Sequence, residues 1–331
     1  MNESGRPSRV AFLGCGKIAR AHAERFAATG HAELAVLCDT VREAAERLAA
    51  EHAPRAAIET DWERALETPD LDAVLVASPT ALHHAQCRRA LERGLHVLCE
   101  KPLATSRDEI IDLMNLSHEL GLTLCVSFQR RYAASFATAR RELTERREKY
   151  GPVREVHVFN CENWKQSIAG TWRDDPRSAA GYFADGGIHR IDLVAFVADL
   201  RAHRVWATSD RRGTNVEIVT RVVAEMEGGA GMMAHFVGDA GHFRDDIHFH
   251  CERADLLVRS EELFHAANGR VTPIADPLPH DTPNAAFLRA IASGRDTLSP
   301  AEVALHTHDW TAAVVRAIAS GNWEDVGGAG E

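Results

Sequence analysis

A glycine-rich turn near the start of the chain, Gly14-Cys15-Gly16-Lys17-Ile18-Ala19, combines residue types that can hold a diphosphate. It follows an apolar run and opens a stretch with helical spacing, which is the context that makes the G-x-G-x-x-G/A pattern specific. Gly14 permits a tight turn, Gly16 lets the backbone approach a pyrophosphate, and Ala19 allows the helix to pack closely on the strand. The helix N-terminus offers N–H groups and a positive dipole end to the phosphates. The turn therefore predicts a dinucleotide site with contacts from Gly14, Gly16, Lys17 and Ile18.

An acidic residue, Asp39, ends the second predicted strand about 20 residues after this turn, where a carboxylate can accept hydrogen bonds from both ribose hydroxyls of NAD. Its charge would repel the extra phosphate of NADP, although Arg42 lies nearby, so NAD is the predicted cofactor and NADP the less favoured one. Taken singly, the glycines are also compatible with an ordinary turn, and Asp39 with a helix N-cap. The order of strand, glycines, helix and acid favours the dinucleotide site.

Two further residues, Lys101 and His189, have the chemistry that oxidation of an alcohol by such a cofactor requires. Removal of a hydride from a carbinol carbon leaves a protonated carbonyl unless the hydroxyl proton also departs, so the site needs a general base. A histidine side chain titrates near neutral pH and fits that role. Lys101 leaves the carboxyl end of a predicted parallel strand, where its charge would stabilise alkoxide character on the reacting oxygen. The sequence leaves open which of the two takes the proton.

The first part of the chain alternates short β-branched apolar runs with helical stretches, as βαβ units of a parallel sheet do. The runs predicted as strands are Val10–Leu13, Leu34–Cys38, Ala73–Ala77, Val97–Cys99 and Leu122–Val126. The stretches predicted as helices are Ile18–Thr29, Val41–His52, Leu82–Arg93 and Arg107–Leu120. Gly30, Gly94 and Gly121 each follow one of these helices as a left-handed C-cap would. Residues 1–127 are therefore predicted to be an α/β domain, a Rossmann fold with a doubly wound parallel sheet.

Beyond Tyr132 a charged helix is predicted to about Lys149, and strand-like runs then dominate. These runs are Glu155–Phe159, Val205–Ser209, Glu217–Met226, Gly231–Phe236, Ile247–Cys251 and Asp255–Val258. Short connections such as Glu227-Gly228-Gly229 favour antiparallel pairing. Helices are predicted over Pro283–Ser293 and Pro300–Ser320. Residues 128–331 are therefore predicted to be an α+β domain for substrate binding and oligomerisation, built on a large, mostly antiparallel, open-faced sheet.

The composition excludes several classes of function. The formal net charge of -10 would repel a polyanion and no block of Lys and Arg interrupts it, so no nucleic acid partner is expected. No apolar run is long enough to cross a bilayer and the polar N-terminus lacks an apolar signal segment, so a cytoplasmic protein with no membrane partner is expected. The 7 cysteines form no C-x-x-C pair and are typical of core residues in a reducing compartment. His248-Phe249-His250 puts two imidazoles on one strand face, but no third ligand accompanies them, so no metal is predicted.

Three further motifs resemble the Gfo/Idh/MocA family, the relatives of glucose-fructose oxidoreductase and inositol dehydrogenase. They are Ser78-Pro79-Thr80 with His83, Glu100-Lys101-Pro102, and the pattern Asp185, Gly187, His189 and Asp192. The segment Gln129-Arg130-Arg131-Tyr132 and the pair Trp172-Arg173 also match the family, and the resemblance covers nearly the whole chain. The sequence departs from the family at Ala179-Ala180-Gly181, where relatives carry three glycines. This loop over the cofactor is expected to have a different shape. The resemblance therefore implies the type of reaction more directly than the identity of the substrate.

The resemblance implies roles for these residues. Lys101, Asp185 and His189 would be the catalytic set, with Asp185 orienting the substrate or assisting proton transfer, although Asp185 also suits the cap of the next helix. Cofactor contacts would come from Ser78, Pro79, Thr80, His83, Glu100, Lys101 and Gln129. Substrate contacts would come from Lys101, Arg130, Trp172, Arg173, Asp185 and His189. Glu100 would either position Lys101 or contact the nicotinamide, and Arg130 is also compatible with a surface cation at a domain junction.

The predicted function is hydride transfer between NAD and a secondary hydroxyl or ketone of a sugar, inositol or related polyol. Relatives associate through the open face of the C-terminal sheet, which implies a homodimer or homotetramer, since an antiparallel sheet with helices on one face leaves a surface to cover. Two alternatives remain at this point: a non-catalytic dinucleotide sensor on the same fold, and a redox-neutral enzyme that retains its NAD. Neither the substrate nor the direction of the reaction follows from the sequence.

Overall fold

The computed structural model describes residues 6–176, 181–295 and 297–327. Packing divides the chain into two compact units. The first contains the residues up to Tyr132 together with Asp281–Leu305, and the second contains Ala133–His280 together with the residues from His306 onward. The segment Asp281–Leu305 thus returns to the first unit between two parts of the second, because Phe287 is buried in the first unit's core and Asn284 bonds to His22 of its first helix.

The first unit contains the predicted doubly wound parallel sheet. Within the described residues its strands have the order β3-β2-β1-β4-β5-β6, and every neighbouring pair is parallel. The strands are β1 Ser8–Leu13, β2 Ala32–Cys38, β3 Ala57–Glu59, β4 Ala73–Val76, β5 His96–Cys99 and β6 Leu124–Val126. The helices are α1 Lys17–Thr29, α2 Arg42–His52, α3 Trp62–Ala65, α4 His83–Glu92 and α5 Arg107–Leu120, with α10 Pro283–Ser293 from the returning segment.

Each predicted element of this unit begins and ends within two residues of its predicted limits. Gly30 and Gly121 adopt the left-handed C-cap conformation, whereas Gly94 lies one residue beyond the C-cap of α4. The sequence did not predict β3 and α3, because elements of three or four residues are too short to display a period.

The second unit is built on a mostly antiparallel sheet, as predicted. Within the described residues the strand order is β14-β13-β12-β11-β7-β10-β9-β8-β15, and only β7 and β10 pair in parallel. The strands are β7 Val153–Cys161, β8 Ala202–Asp210, β9 Val219–Met226, β10 Gly231–Val237, β11 Arg244–Cys251, β12 Asp255–Arg259, β13 Glu262–Ala267, β14 Arg270–Pro273 and β15 Glu324–Asp325. The helices are α6 Ala134–Thr144, α7 Arg147–Tyr150, α8 Trp164–Ile168, α9 Ile188–Ala198 and α11 Glu302–Ser320, which begins at the end of the first unit.

Several predicted limits in this unit differ from the structure. Strands β8 and β11 begin at Ala202 and Arg244, before their predicted starts at Val205 and Ile247. Two other differences have a clear physical cause. The charged helix predicted to about Lys149 is interrupted, because Arg146 leaves the helical region and separates α6 from α7. The strand predicted from Glu217 begins instead at Val219, because the Glu217 carboxylate and carbonyl both bond to the chain ahead of α9.

The two faces of this sheet differ in what covers them. Residues of α6, α9 and α11 form one core with alternate strand residues such as Val158, Ala234 and Phe249. The residues between them in sequence point to the other face, where the Met233 side chain is 59% exposed. Among the residues that the structure describes, helices therefore cover one face of the sheet and none of them packs on the other.

No helix in the described part of the chain has both the length and the apolar character that crossing a membrane requires. All seven cysteines lie in that part and are free thiols.

Candidate functional site

The carboxyl ends of the central strands of the first sheet lie side by side. Leu13 is level with Cys38 and Val76, and the same row continues through Cys99 to Val126. The residues that follow each strand therefore come to one edge of the sheet, where open α/β sheets bind their ligands. This edge carries the glycine turn, Asp39, Ser78-Pro79-Thr80, Glu100-Lys101 and Gln129.

The glycine turn has the geometry that a dinucleotide pyrophosphate requires. Gly14 has a φ of +98°, and a Cβ there would lie 2.5 Å from the Ala77 carbonyl oxygen. At Gly16, the N-cap of α1, a Cβ would meet nothing within 4 Å, so this position faces open space. Within the described chain, no side chain caps α1 and its first turn contains no acidic residue, so its N–H groups can bind an anion. The residues present therefore fit NAD.

Alanine substitutions at these two glycines are expected to have different effects. Gly14→Ala forces a Cβ against the Ala77 backbone, so it should lower both the melting temperature and the affinity for NADH. Gly16→Ala meets no protein atom, so it should leave the melting temperature nearly unchanged and weaken NADH binding by about tenfold, because the methyl group occupies the approach to the pyrophosphate. Cofactor fluorescence titration and thermal melting measure both effects. Equal NADH affinity in Gly16→Ala and the wild type would contradict this placement of the phosphates.

Asp39 joins the end of β2 to the glycine turn. One carboxylate oxygen accepts a hydrogen bond from the Cys15 N–H at 2.8 Å, and the other accepts one from the Val41 N–H at 2.9 Å. The N-cap of α2 is Val41, so Asp39 does not occupy the capping position that was its alternative role. Each carboxylate oxygen keeps a lone pair for a further donor such as a ribose hydroxyl.

His83 links the two loops that follow β4 and β5. Its two ring nitrogens lie 2.8 Å from the Ser78 carbonyl oxygen and 2.8 Å from the Pro102 carbonyl oxygen. Burial lowers the pKa of His83, although both carbonyl contacts and the charge of Glu100 act in the opposite direction. Ser78 in turn donates from its hydroxyl to Gln86 at 2.6 Å. His83 thus joins the loop after β4, at Ser78, to the loop after β5, at Pro102.

A buried polar network holds Glu100, the residue before Lys101. The His22 Nε2–H donates to the Glu100 carboxylate at 2.8 Å, and the His22 Nδ1 hydrogen-bonds the Asn284 amide at 3.0 Å. The other Glu100 oxygen accepts from the Lys101 backbone N–H at 3.2 Å. Burial acts to raise the pKa of Glu100, but the bond and charge of His22 and the charge of Lys101 outweigh it and hold that pKa below its usual value. Glu100 is therefore a charged group that orients the Lys101 backbone.

The helical turn Gln129–Tyr132 follows β6 and contains a buried acceptor. Among the described residues, no group hydrogen-bonds the buried Oε1 of Gln129, so a bound ligand can supply the donor that such an atom requires. Arg131 is instead structural, since it is buried and donates to the Leu298 carbonyl at 2.7 Å. Arg130 is half-buried in the same turn.

In the second unit, the candidate residues lie where a π-helical turn, Phe183–Gly187, runs into α9. Asp185 lies in the turn and His189 one helical turn later, so the two side chains share a face. The turn is closely packed, because a Cβ at Gly187 would lie 2.5 Å from the Phe183 ring. Gly187, not Asp185, is the N-cap of α9. Insertions of this kind into helices are frequent at functional sites.

A buried ion pair between Arg190 and Asp245 stabilises the π-helical turn. The Arg190 guanidinium donates to both Asp245 oxygens at 3.0 and 2.9 Å, and its third nitrogen donates to the Gly186 carbonyl at 2.8 Å. Both partners are almost fully buried, so removing either would leave an unpaired buried charge. Arg173 Nε lies 3.7 Å from the Asp185 carboxylate, and both side chains are substantially exposed. The bidentate pair thus fixes the π-helical turn, whereas the Arg173 contact is weak.

The predicted site residues form two groups, one in each unit. The group in the first unit is Gly14, Gly16, Lys17, Ile18, Asp39, Ser78, Pro79, Thr80, His83, Glu100, Lys101, Gln129 and Arg130. The group in the second unit is Arg173, Asp185 and His189. The Trp172 side chain and the Ala179-Ala180 part of the variant loop lie outside the described residues.

Four supporting residues had no role in the sequence-based prediction: His22, Asn284, Arg190 and Glu217. Their partners are remote in sequence, so no spacing rule identifies them. Polar residues inside apolar stretches, as His22 is between Ala21 and Ala23, are the one local signal that they are hydrogen-bonded in the core.

Within the described residues, no group of three or more His, Cys, Asp or Glu side chains is arranged to hold a metal ion. His250 lies 3.1 Å from Asp255, and His248 lies 3.3 Å from the Arg259 guanidinium.

Comparison with protein families gives two matches that together span most of the chain. Residues 8–128 match a model described as an oxidoreductase family with an NAD-binding Rossmann fold, GFO_IDH_MocA. Residues 136–256 match the GFO/IDH/MocA C-terminal domain.

Individual proteins are similar over shorter stretches. The chain is 28% identical to D-glucoside 3-dehydrogenase of Escherichia coli over 58% of this chain and 54% of that protein. It is 31% identical to inositol 2-dehydrogenase of Mycolicibacterium smegmatis over 58% and 53%. The matched chain spans only about half the length of these curated relatives. An inositol dehydrogenase homologue from Azotobacter vinelandii, crystallised with NAD+, shares the fold with a TM-score of 0.82 at 21% identity, over 97% of this chain and 98% of that one.

Proposed function

The chain belongs to the Gfo/Idh/MocA oxidoreductase family, and from that premise we propose that it transfers a hydride between NAD and a secondary hydroxyl or ketone of a sugar, inositol or related polyol. The observation that carries the proposal is the row of strand ends, which puts the glycine turn, Asp39 and Lys101 on one edge of the first sheet. The two curated relatives support the substrate class, since a D-glucoside and an inositol, the compounds in their names, are both cyclic polyhydroxy compounds.

In this proposal, residues of the first unit hold the cofactor. The N–H groups at the start of α1 face the pyrophosphate, Asp39 accepts from the ribose hydroxyls, and Gln129 meets a donor of the ligand. Bound NAD supplies a nicotinamide that accepts or donates the hydride. His83 and Glu100 keep the neighbouring loops in place through the bonds described above.

The proton is handled by residues of both units. We propose that Lys101, Asp185 and His189 meet around the reacting hydroxyl. Lys101 stabilises negative charge that develops on its oxygen, and Asp185 orients the substrate. The hydroxyl proton departs either to His189, with Lys101 acting as the ammonium, or to Lys101 in its neutral amine form, because an ammonium cannot accept a proton. Arg130, Trp172 and Arg173 contribute contacts to the other hydroxyls.

Asp39→Asn is expected to change the choice of cofactor. The substitution removes the charge that repels the 2′-phosphate of NADP but keeps an oxygen that can accept from the Cys15 N–H or the Val41 N–H. We expect NAD affinity to fall by about tenfold and the ratio of NADP to NAD affinity to rise by about tenfold. Fluorescence titration with NADH and NADPH measures both quantities. An unchanged ratio in a variant with wild-type melting behaviour would show that Asp39 does not face the adenosine ribose.

The proposed activity is tested by mixing the protein with NAD and each member of a panel of inositols, hexoses and glucosides. The absorbance of NADH is followed during turnover and at equilibrium. We expect NADH formation with at least one cyclic polyol. NADH binding without turnover of any panel member would instead favour a dinucleotide sensor, and NAD retained through purification with no net NADH would favour a redox-neutral reaction.

We propose further that copies of the chain form a homodimer or homotetramer through the open face of the second sheet. Exposed Met233 and the half-buried Val223 and Phe159 lie on that face and provide apolar surface.

The free thiols support a reducing, cytoplasmic setting.

A further inference from the structure

The chain ahead of α9 depends on a residue that none of the site motifs contains. The Glu217 carboxylate accepts a hydrogen bond from the Phe183 N–H and also bonds the Ala184 N–H. The Glu217 carbonyl accepts from the Tyr182 N–H at 3.0 Å. The first N–H groups of a helix have no partner within the helix. Glu217 therefore satisfies three consecutive N–H groups at the start of the π-helical turn.

The approach of Glu217 to this segment is unusually close. Gly181 has a φ of +107°, and a Cβ there would lie 2.6 Å from the Glu217 Cγ. Only glycine allows both the backbone conformation and the contact. On its far side, the second carboxylate oxygen accepts from the Thr220 hydroxyl at 2.9 Å. The carboxylate is thus clamped between the turn and the start of β9.

The anchored segment carries two of the proposed catalytic residues. Asp185 is the residue after Ala184, and its own N–H donates to the Gly181 carbonyl at 3.1 Å. His189 follows one turn later in α9. A displacement of the Phe183 and Ala184 backbone therefore moves Asp185 directly and the start of α9 with it.

We propose that Glu217 is a positioning residue, whose carboxylate holds the π-helical turn so that Asp185 and His189 present their side chains to the substrate. This inference rests on the proposed function, because it concerns the placement of those two side chains for turnover. Glu217 touches neither substrate nor cofactor in it.

The charge of Glu217 is sensitive to pH near neutrality. Burial raises the pKa of Glu217 to about 7, although the bonds from Phe183, Thr220 and Ala184 favour the charged form. The groups in contact with the carboxylate do not titrate near this pH. Three charged groups on the surrounding elements pair with other residues: Glu162 with the Tyr182 hydroxyl, Arg190 with Asp245, and Arg173 with Asp185. Below pH 7 the carboxyl is neutral and accepts hydrogen bonds from the turn less strongly.

Glu217→Gln replaces the carboxylate with a neutral group of nearly the same shape. The variant therefore tests whether the charge of Glu217 is needed to position the turn. At pH 8.5 we expect kcat of Glu217→Gln to be about tenfold below the wild type, since a small misplacement of catalytic groups is costly. At pH 5.5 the two kcat values should converge, because the wild-type residue is then protonated as well. Protonation of other catalytic groups affects both proteins alike and cancels in the ratio. NADH affinity should stay within about twofold, because the cofactor residues lie in the other unit.

A second readout does not depend on activity. Hydrogen exchange at pH 8.5 should be about tenfold faster in Glu217→Gln for a peptide covering residues 182–190 and unchanged elsewhere. Glu225→Gln is the matched control, because Glu225 lies on β9 but is exposed and pairs with Arg204. It should match the wild type in both measurements.

Faster exchange together with a kcat ratio that depends on pH supports the proposal. Unchanged exchange overturns the anchoring role, and faster exchange with a kcat ratio that is constant over pH overturns the positioning role. If no panel compound is turned over at all, the proposed function fails, and the exchange measurement alone decides whether Glu217 holds the turn.

Discussion

Lys101→Met is expected to lower kcat/KM for the preferred polyol by about 10³ to 10⁴-fold, because it removes either the cation beside the reacting oxygen or, if the neutral amine of Lys101 is the base, the proton acceptor. Methionine keeps most of the length and volume of lysine, so the loop after β5 should keep its structure. The Lys101 backbone N–H can still donate to Glu100, since the substitution does not alter it. Steady-state kinetics over the polyol panel measures the loss.

Two controls accompany this variant. NADH affinity should change by less than about threefold, because the contacts to the pyrophosphate and ribose are proposed to come from other residues. Lys149→Met, on the short helix α7 of the second unit, should leave kcat/KM near the wild-type value. A Lys101→Met enzyme within tenfold of wild-type kcat/KM would contradict a role for this ammonium at the reacting hydroxyl.

His189→Asn is expected to lower kcat by about 10³-fold, which is the range for loss of a general acid or base. Asparagine retains hydrogen-bonding capacity in a position that is only 7% exposed, which limits structural damage. If the imidazole takes the proton, the limb of the wild-type pH profile that reports its titration should also vanish. Steady-state kinetics between pH 5.5 and pH 9 measures both changes.

A histidine elsewhere on the same unit provides the comparison. His203→Asn replaces an exposed residue on β8 and should not alter kcat. Melting temperature and NADH affinity of His189→Asn should remain close to the wild type, so that a loss of kcat is not a loss of folding. Retention of more than a tenth of wild-type kcat would remove His189 from the catalytic set.

The sequence predicts the first unit well because its signals are local. The glycine turn, the C-cap glycines and the alternation of apolar runs each depend on residues close together in the chain. The residues predicted to form the site there lie in the segments that follow predicted strands, and because parallel strands end at a common edge their position at that edge also follows from local signals. Their roles at the cofactor stay predictions. The short elements β3 and α3 carry no such signal.

The supporting interactions were not predictable for the opposite reason. Asn284 of the returning segment contacts His22, and Glu217 contacts Phe183, from which α9 and β8 separate it in the chain. Such pairs are set by packing of distant elements, which a single sequence does not encode in its spacing. For the same reason, the meeting of Lys101 with Asp185 and His189 stays a prediction, since Lys101 belongs to the first unit and the other two residues belong to the second.

A crystal structure of the complex with NAD and a polyol that the enzyme turns over tests this meeting most directly. We expect the Lys101 ammonium and a His189 ring nitrogen both to lie within about 3.2 Å of the same substrate hydroxyl, at the carbon that faces the nicotinamide. A complex in which the two side chains are too far apart to touch one small molecule would contradict the proposed dehydrogenase chemistry.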